Sequence, residues 1–255
     1  MFKKDIIWDV AVIGGGPAGM MAAGRAAEMG ARVILVEKND SLGKKLRITG
    51  GGRCNVTNKE LDNRKILKKY KDAEQFLFSA FSQWKVKDTL DFFEKRNMPL
   101  KVEAEQRVFP KSDSAESVWK VLVEYLKEKD VTVFSNSPVI NITKTRNQTG
   151  NQIEKIIIKN GKEIKAKNFI LVTGGKSRPE TGSTGDGFLW LRNLGHTVAE
   201  SNASLVPVAI EDLWVKKLSG VTLPKIKLTI FQNDKKIKSL KRFFSLTSAS
   251  AGQLY

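Results

Sequence analysis

The stretch from Ile6 to Glu37, IIWDVAVIGGGPAGMMAAGRAAEMGARVILVE, decides the fold. Ile6–Ile13 is a short apolar run rich in β-branched residues that stops abruptly at glycines, the pattern of a buried strand. Ala18–Met29 is alanine-rich, a helix whose small side chains let it pack close to a sheet, and Gly30 stands where a helix-ending glycine belongs. Arg32–Glu37 is a second strand. Strand, glycine turn, helix and strand in this order build a parallel sheet through a right-handed crossover.

Within that unit Gly14, Gly16 and Gly19 spell GxGxxG (GGGPAG) between strand and helix. The first glycine permits the tight turn, the second lets a pyrophosphate approach the backbone, and the third packs helix against strand. The helix N-terminus offers free N–H groups to the anion, and Glu37 can accept from a ribose hydroxyl. A lone GxGxxG is weak; with the flanking strands, Ala23, Gly30 and the terminal acid in place, the turn reads as a dinucleotide site rather than a mere tight turn. Pro17, followed by Ala18, gives the helix a rigid start and hints at FAD more than NAD. The Glu37 carboxylate repels a 2′-phosphate and so disfavours NADP at this site.

Outward from this unit, Ala73–Phe81, Lys85–Arg96 and Ser114–Lys129 read as helices, the last with Val118, Val121, Leu122 and Tyr125 on one face. From Val131 to Asn168 the period becomes two, with Asn160-Gly161 as a hairpin turn, which predicts a three-stranded antiparallel meander. Asn168–Gly175 (NFILVTGG) reads as a further buried strand returning to the parallel sheet, and Asp186–Leu194 as a helix. Val206–Ile210 and Ile226–Phe231 alternate like strands of a second unit. The expectation is an α/β protein: a Rossmann-type FAD/NAD(P)-binding domain with an antiparallel β-meander over residues 1–203, and the start of an incomplete, β-rich, barrel-like second domain over 204–255.

The 255 residues carry 44 Lys+Arg against 27 Asp+Glu, a net charge of +17, with 41% hydrophobic residues. This is a globular composition and argues against disorder. The basic excess invites a nucleic-acid reading, but lysines number 33 and arginines 11, and no RRM, KH, zinc-finger or helix-turn-helix signature accompanies them. Nucleic acid is therefore not the expected main partner; a small-molecule substrate is. Cys54 is the one cysteine and His196 the one histidine, which excludes an internal disulfide and leaves no basis for a metal site. No run approaches a membrane span and no signal peptide is legible at Met1–Gly16, so the expected location is cytoplasmic.

A second glycine cluster lies in GKKLRITGGGRCNVTN, Gly43–Asn58. Its three consecutive glycines allow backbone to pass close to a flat ring, Arg53 could face a phosphate or a reduced, anionic flavin, and Asn55 could bond ring edges. An ordinary surface loop is the plain alternative. At this stretch the chain resembles the BaiN/RdsA-like NAD(P)/FAD-dependent oxidoreductases of bacteria. The resemblance continues through Arg107-Val108-Phe109-Pro110, Thr173-Gly174-Gly175-Lys176-Ser177, GSTGDG at Gly182–Gly187, Leu194-Gly195-His196, Ser204-Leu205-Val206-Pro207 and Leu218-Ser219-Gly220. It implies FAD held by Gly14, Gly16, Gly19 and Glu37, with Pro17, Ala18, Lys38 and Lys45 beside them. It also implies that Arg53, Cys54 and Asn55 lie near the flavin, that Thr173, Gly174 and Gly175 line the same site, and that Val139 meets the adenine.

Read residue by residue, the other candidates stay open. Lys44, Lys45 and Arg47 contact a pyrophosphate or are solvated. Cys54 has no partner cysteine, which excludes a disulfide-reductase mechanism and favours a packed thiol over a redox one. His196 follows Leu194-Gly195 at a helix end and reads as a cap or dipole partner rather than a proton donor. Asp186 is a helix cap or a cofactor contact. Members of the resembled family continue beyond the barrel insertion, whereas after Arg242 this chain reads FFSLTSASAGQLY; the expectation is a truncated gene. The resemblance implies an oxidoreductase passing electrons from NAD(P)H, bound transiently, through FAD to an organic acceptor. An RNA-associated flavoprotein and an inactive fragment are the alternatives, and no catalytic residue is marked.

Overall fold

The computed structural model describes residues 6–147, 150–199, 208–209, 222–247 and 253–254, together with Trp214 and Lys217. In chain order the helices and strands are β1 Ile7–Ile13, α1 Pro17–Glu28, β2 Val33–Val36, α2 Lys44–Ile48, β3 Thr57–Asn58, α3 Asn63–Lys68, α4 Glu74–Gln83 and α5 Val86–Glu94. There follow β4 Leu100–Val102, β5 Arg107–Pro110, α6 Ala115–Glu128, β6 Thr132–Phe134, β7 Val139–Asn147, β8 Gly150–Ile158, β9 Glu163–Leu171 and α7 Asp186–Asn193. The last strands are β10 Val208–Ala209, β11 Thr222–Gln232, β12 Lys235–Thr247 and β13 Gln253–Leu254. The chain forms two compact units, residues 1–198 and 199–255.

The first unit is built on a six-stranded mixed sheet in the order β6-β2-β1-β9-β8-β7. β1 runs parallel to both β2 and β9, and β2 parallel to β6, while β7, β8 and β9 form the antiparallel meander. Side-chain alternation along β1 divides the core in two. Val12 joins Val33, Leu35, Met20 and Ala23 and the α6 residues Val118, Leu122 and Tyr125. Ala11 and Ile13 join Ile34, Val36 and the meander residues Ile156, Ile158 and Ile164. Gly24 lets α1 lie against α6, since a Cβ there would come 2.3 Å from the Tyr125 ring. That buried phenol donates to Glu28 Oε2 at 3.1 Å, and burial, then this carboxylate, push its pKa up to about 12. α1 ends at Met29 with Gly30 at φ +88°; the Ala31 N–H returns to Ala26 O, a Schellman ending.

Two sequence expectations are corrected here. The period-two stretch does not begin its meander at Val131: β6 is a three-residue strand paired parallel to β2, and the meander runs from Val139 to Leu171. Nor is Asn168–Gly175 a separate strand. β9 is continuous, pairing antiparallel to β8 through Glu163–Lys165 and parallel to β1 through Lys165–Leu171, and it stops at Leu171. One strand does both because a strand has two edges, and composition does not say which partner takes which.

Outside the main sheet, α3, α4 and α5 enclose a small cluster of Ile66, Leu67 and Val86, and β3-β5-β4 form a three-stranded sheet that the sequence reading did not anticipate. The second unit holds a long β11–β12 hairpin turned at Asn233-Asp234, both at positive φ, with β13 paired to β12 and β10. Within the expected strand at Val206–Ile210, Val208–Ala209 is strand; Val206, Pro207 and Ile210 lie outside the described residues, as do Ser204, Leu205 and Leu218–Gly220.

Candidate functional site

Where β1 and β9 end and α1 begins, a cavity of about 540 Å3 opens, within the size range of small-molecule sites. The three motif glycines have distinct surroundings. Gly14 sits at φ +112°, and a Cβ there would lie 2.5 Å from Val172 O. A Cβ on Gly19 would lie 1.8 Å from Gly14 O, so this glycine is required where helix meets strand. Around Gly16 a Cβ would meet nothing within 4 Å, which leaves its backbone bare on the cavity wall. Gly16 caps α1 without a side-chain hydrogen bond and Pro17 has no N–H, so the first free amides of the helix follow at Ala18 and Gly19. The positive end of α1 is thus aimed at the cavity.

Glu37 follows directly on β2 and is buried. Its Oε2 accepts from the Gly15 N–H at 2.6 Å, and its Oε1 from the backbone N–H and the side-chain amide of Asn39 at 2.8 and 2.6 Å. These donors allow a carboxylate to stay in a buried place. Beside it the Ser137 N–H donates to Glu37 O at 2.9 Å, and Ser137-Pro138-Val139 and Trp190 give the cavity a partly apolar lining.

Two lysines on the β2–α2 side reach across to the segment 173–186. Lys45 Nζ donates to Ser177 O at 3.0 Å and to the buried Ser183 hydroxyl at 2.6 Å. Lys38 Nζ donates to Thr184 Oγ1 at 2.8 Å and pairs with Asp186 at 2.9 Å. Burial raises the Asp186 pKa, but the bonds from Lys38 and Thr184 outweigh it and hold the carboxyl below its usual range.

Of the residues singled out in the sequence, Gly14, Gly16, Pro17, Ala18, Glu37, Lys38, Lys45, Val139, Thr173 and Gly174 all line this cavity. Gly19 packs beneath it, and Gly175 does not line it. The cap role for Asp186 is corrected: Gly185 is the cap, Asp186 is the first helical residue, and its side chain goes to Lys38. Sequence reasoning did not mark Asn39, Ser137, Pro138, Ser183 or Trp190. Ser183 falls inside the quoted GSTGDG stretch and Trp190 one helical turn beyond Asp186, which was the available signal.

The Arg53-Cys54-Asn55 turn lies apart from this cavity's lining. Gly50, Gly51 and Gly52 have φ of +56°, +67° and +84°, and Cys54 is also left-handed at +59°. The Arg53 guanidinium bonds Glu103 and, at 2.7 Å, Asp113, and it lies 4.2 Å over the Phe109 ring. Lys101 pairs with the same two acids. Cys54 is buried in the core with Val118 and Leu122, and burial pushes its thiol pKa up. The Asn55 amide nitrogen, in the orientation that satisfies its neighbours, donates to Thr57 O and Val108 O at 2.9 and 3.0 Å. His196 is exposed; its backbone N–H closes the end of α7 on Leu191 O at 2.9 Å. No metal-binding cluster exists among the described residues, and no described helix is long and apolar enough to cross a membrane.

A glycine turn at the end of a parallel strand, an uncapped helix N-terminus and a buried acid after the second strand define a Rossmann-type α/β domain. The HI0933-like protein Rossmann domain family matches residues 8–244, and the chain belongs to that family. It is 29% identical over 214 residues to a 3-dehydro-bile acid delta(4,6)-reductase of Clostridium scindens, covering 83% of this chain and 50% of that protein. It is also 29% identical over 224 residues to a ribosomal RNA dihydrouridine synthase of Escherichia coli, covering 86% and 53%. The chain therefore spans about half the length of the curated relatives it matches. Among solved structures, an open-conformation flavocytochrome c3 fumarate reductase aligns with a TM-score of 0.55 at 21% identity, over 86% of this chain and 47% of that one. Thermovibrio ammonificans THI4 aligns at 0.51 and 17%, over 74% and 64%. These likenesses speak for the fold.

Proposed function

We propose that the cavity binds FAD by its adenosine diphosphate half and that the chain is the cofactor domain of a flavin-dependent reductase. The observation that carries this reading is the convergence on one cavity of bare Gly16 backbone, the free N-terminus of α1 and the buried Glu37 carboxylate. The pyrophosphate falls to the amides after Gly16, a ribose hydroxyl to Glu37 and the adenine to the wall at Val139. Lys38 and Lys45 supply positive charge at the rim. The bare turn Gly50–Gly52, where a Cβ on Gly51 or Gly52 would meet nothing within 4 Å, is offered to the flat ring, with Arg53, Cys54 and Asn55 shaping it.

A flavin held there would supply two-electron chemistry, hydride transfer between NAD(P)H and an organic acceptor. The two relatives' names share one chemistry: a delta(4,6)-reductase and a dihydrouridine synthase each add two hydrogens across a carbon–carbon double bond. We infer the same reaction type here, reduction of an unsaturated acceptor. The test is a visible absorption spectrum of the purified protein, with the released cofactor identified and anaerobic NADH or NADPH added. FAD that is bleached by either donor is expected; a colourless protein that takes up no FAD rejects the reading.

One observation favours a second reading, in which the acceptor is part of an RNA. Arg64, Lys65, Lys68 and Lys69 are exposed on and just after α3, with no ion-pair partner among the described residues. Ile66 and Leu67 face inward, which leaves these four cations on the opposite side of the helix. Salt-sensitive RNA retention that falls when Lys65, Lys68 and Lys69 become Gln is the expected result, and retention unchanged by those substitutions rejects it.

A further inference from the structure

Asn39 is bonded to three separate parts of the chain. Its backbone N–H and its Nδ2 both donate to Glu37 Oε1, at 2.8 and 2.6 Å. Nδ2 also donates to Thr181 O at 3.1 Å, and the Asn39 carbonyl accepts from the Asn136 N–H at 2.7 Å. Gly182 leaves room for this amide, because a Cβ there would come 2.6 Å from Nδ2.

An ionised carboxylate offers about four acceptor positions, two on each oxygen. Two donors from Asn39 fill Oε1. Oε2 holds one donor, the Gly15 N–H at 2.6 Å, and keeps one position open. A carboxylate without these partners could accept from both hydroxyls of a ribose at once; this one has a single vacant acceptor position.

We propose that Asn39 is a positioning residue that saturates Glu37 Oε1, so that the site reads one ribose hydroxyl, through Oε2, and is indifferent to the other. This rests on the reading of the cavity as the adenosine diphosphate site. The identity of the hydroxyl follows from which one reaches Oε2, and the experiment reports it directly.

The test uses calorimetric titration of flavin-stripped protein with ADP, 2′-deoxy-ADP and 3′-deoxy-ADP. In the wild type one deoxy analogue binds about tenfold more weakly than ADP, the scale of one hydrogen bond to a charged group, and the other within threefold. In Asn39→Leu the backbone N–H still donates but Nδ2 is gone, which opens a second acceptor position on Oε1. Both analogues then lose by factors within threefold of each other. Asn39→Ala repeats the measurement in case leucine bulk disturbs folding, and thermal melts compare the folded states. Equal losses for both analogues in the wild type overturn the proposal, as does an asymmetry that persists in both variants. Wild-type protein that binds FAD but not ADP rejects the underlying reading of the cavity instead.

Discussion

The two glycine turns of this chain carry similar ingredients and do opposite things with them. Gly14–Gly19 leaves the Gly16 backbone bare and the first helix amides unspent, and the charged groups around it converge on a cavity. Gly50–Gly52 is followed by a cation, a thiol and an amide whose side chains are all engaged by the chain itself: Arg53 on Glu103, Asp113 and Phe109, Cys54 in the core, Asn55 on backbone carbonyls. Free backbone amides make the first turn able to hold an anion, whereas the second, with its polar side chains already partnered, offers a ligand only the shape of its bare backbone.

The comparison is tested most severely at Gly19. Gly19→Ala forces a methyl to 1.8 Å from Gly14 O, and we expect a loss of about 3 kcal/mol in stability together with loss of FAD retention, read by denaturant melts and absorbance. Next comes Glu37→Ala, which strands the buried Gly15 N–H. FAD affinity should fall by about 2 kcal/mol, roughly thirtyfold, in a fluorescence titration. If the second turn works through shape alone, Arg53→Met should show the converse: FAD affinity within threefold of wild type, and faster proteolysis between Gly50 and Asn58. A loss of affinity equal to that of Glu37→Ala would erase the distinction between the turns.

The smallest effect is a pH dependence confined to the second turn. The Arg53 hydrogen bond, opposed by desolvation, holds the Glu103 carboxyl below its usual range, and the Lys101 bond does the same for Asp113. Carboxyls with lowered pKa contribute stability above their unfolded values, near pH 4, and lose it as pH falls through the folded values. Amide exchange at Arg53–Asn55 should therefore be flat from pH 7 to about 5, after correction for intrinsic rates, and should lose protection only below about pH 4. Such loss between pH 7 and 5 would show that another group holds the turn.

The first turn was legible because everything it needs is local: strand, glycines, helix and acid lie within Ile6–Glu37, and their spacing encodes the geometry. The second was legible only as a cluster, since the partners that consume Arg53 lie 50 and 60 residues away at Glu103 and Asp113. Pairing direction was hidden for the same reason. The run from Glu163 to Leu171 has strand character throughout, but the switch from β8 to β1 as its neighbour depends on segments more than 150 residues apart. Asn39 escaped notice because no local motif marks it, and its value comes from Thr181 and Asn136 folding against it.

The most direct measurement of the central claim is a competition titration of the flavin-stripped protein with FAD, FMN and ADP. If the cavity between Gly16 and Glu37 holds the adenosine diphosphate half, FAD binds far more tightly than FMN and ADP displaces it. FMN binding as tightly as FAD, with ADP unable to compete, would contradict the account.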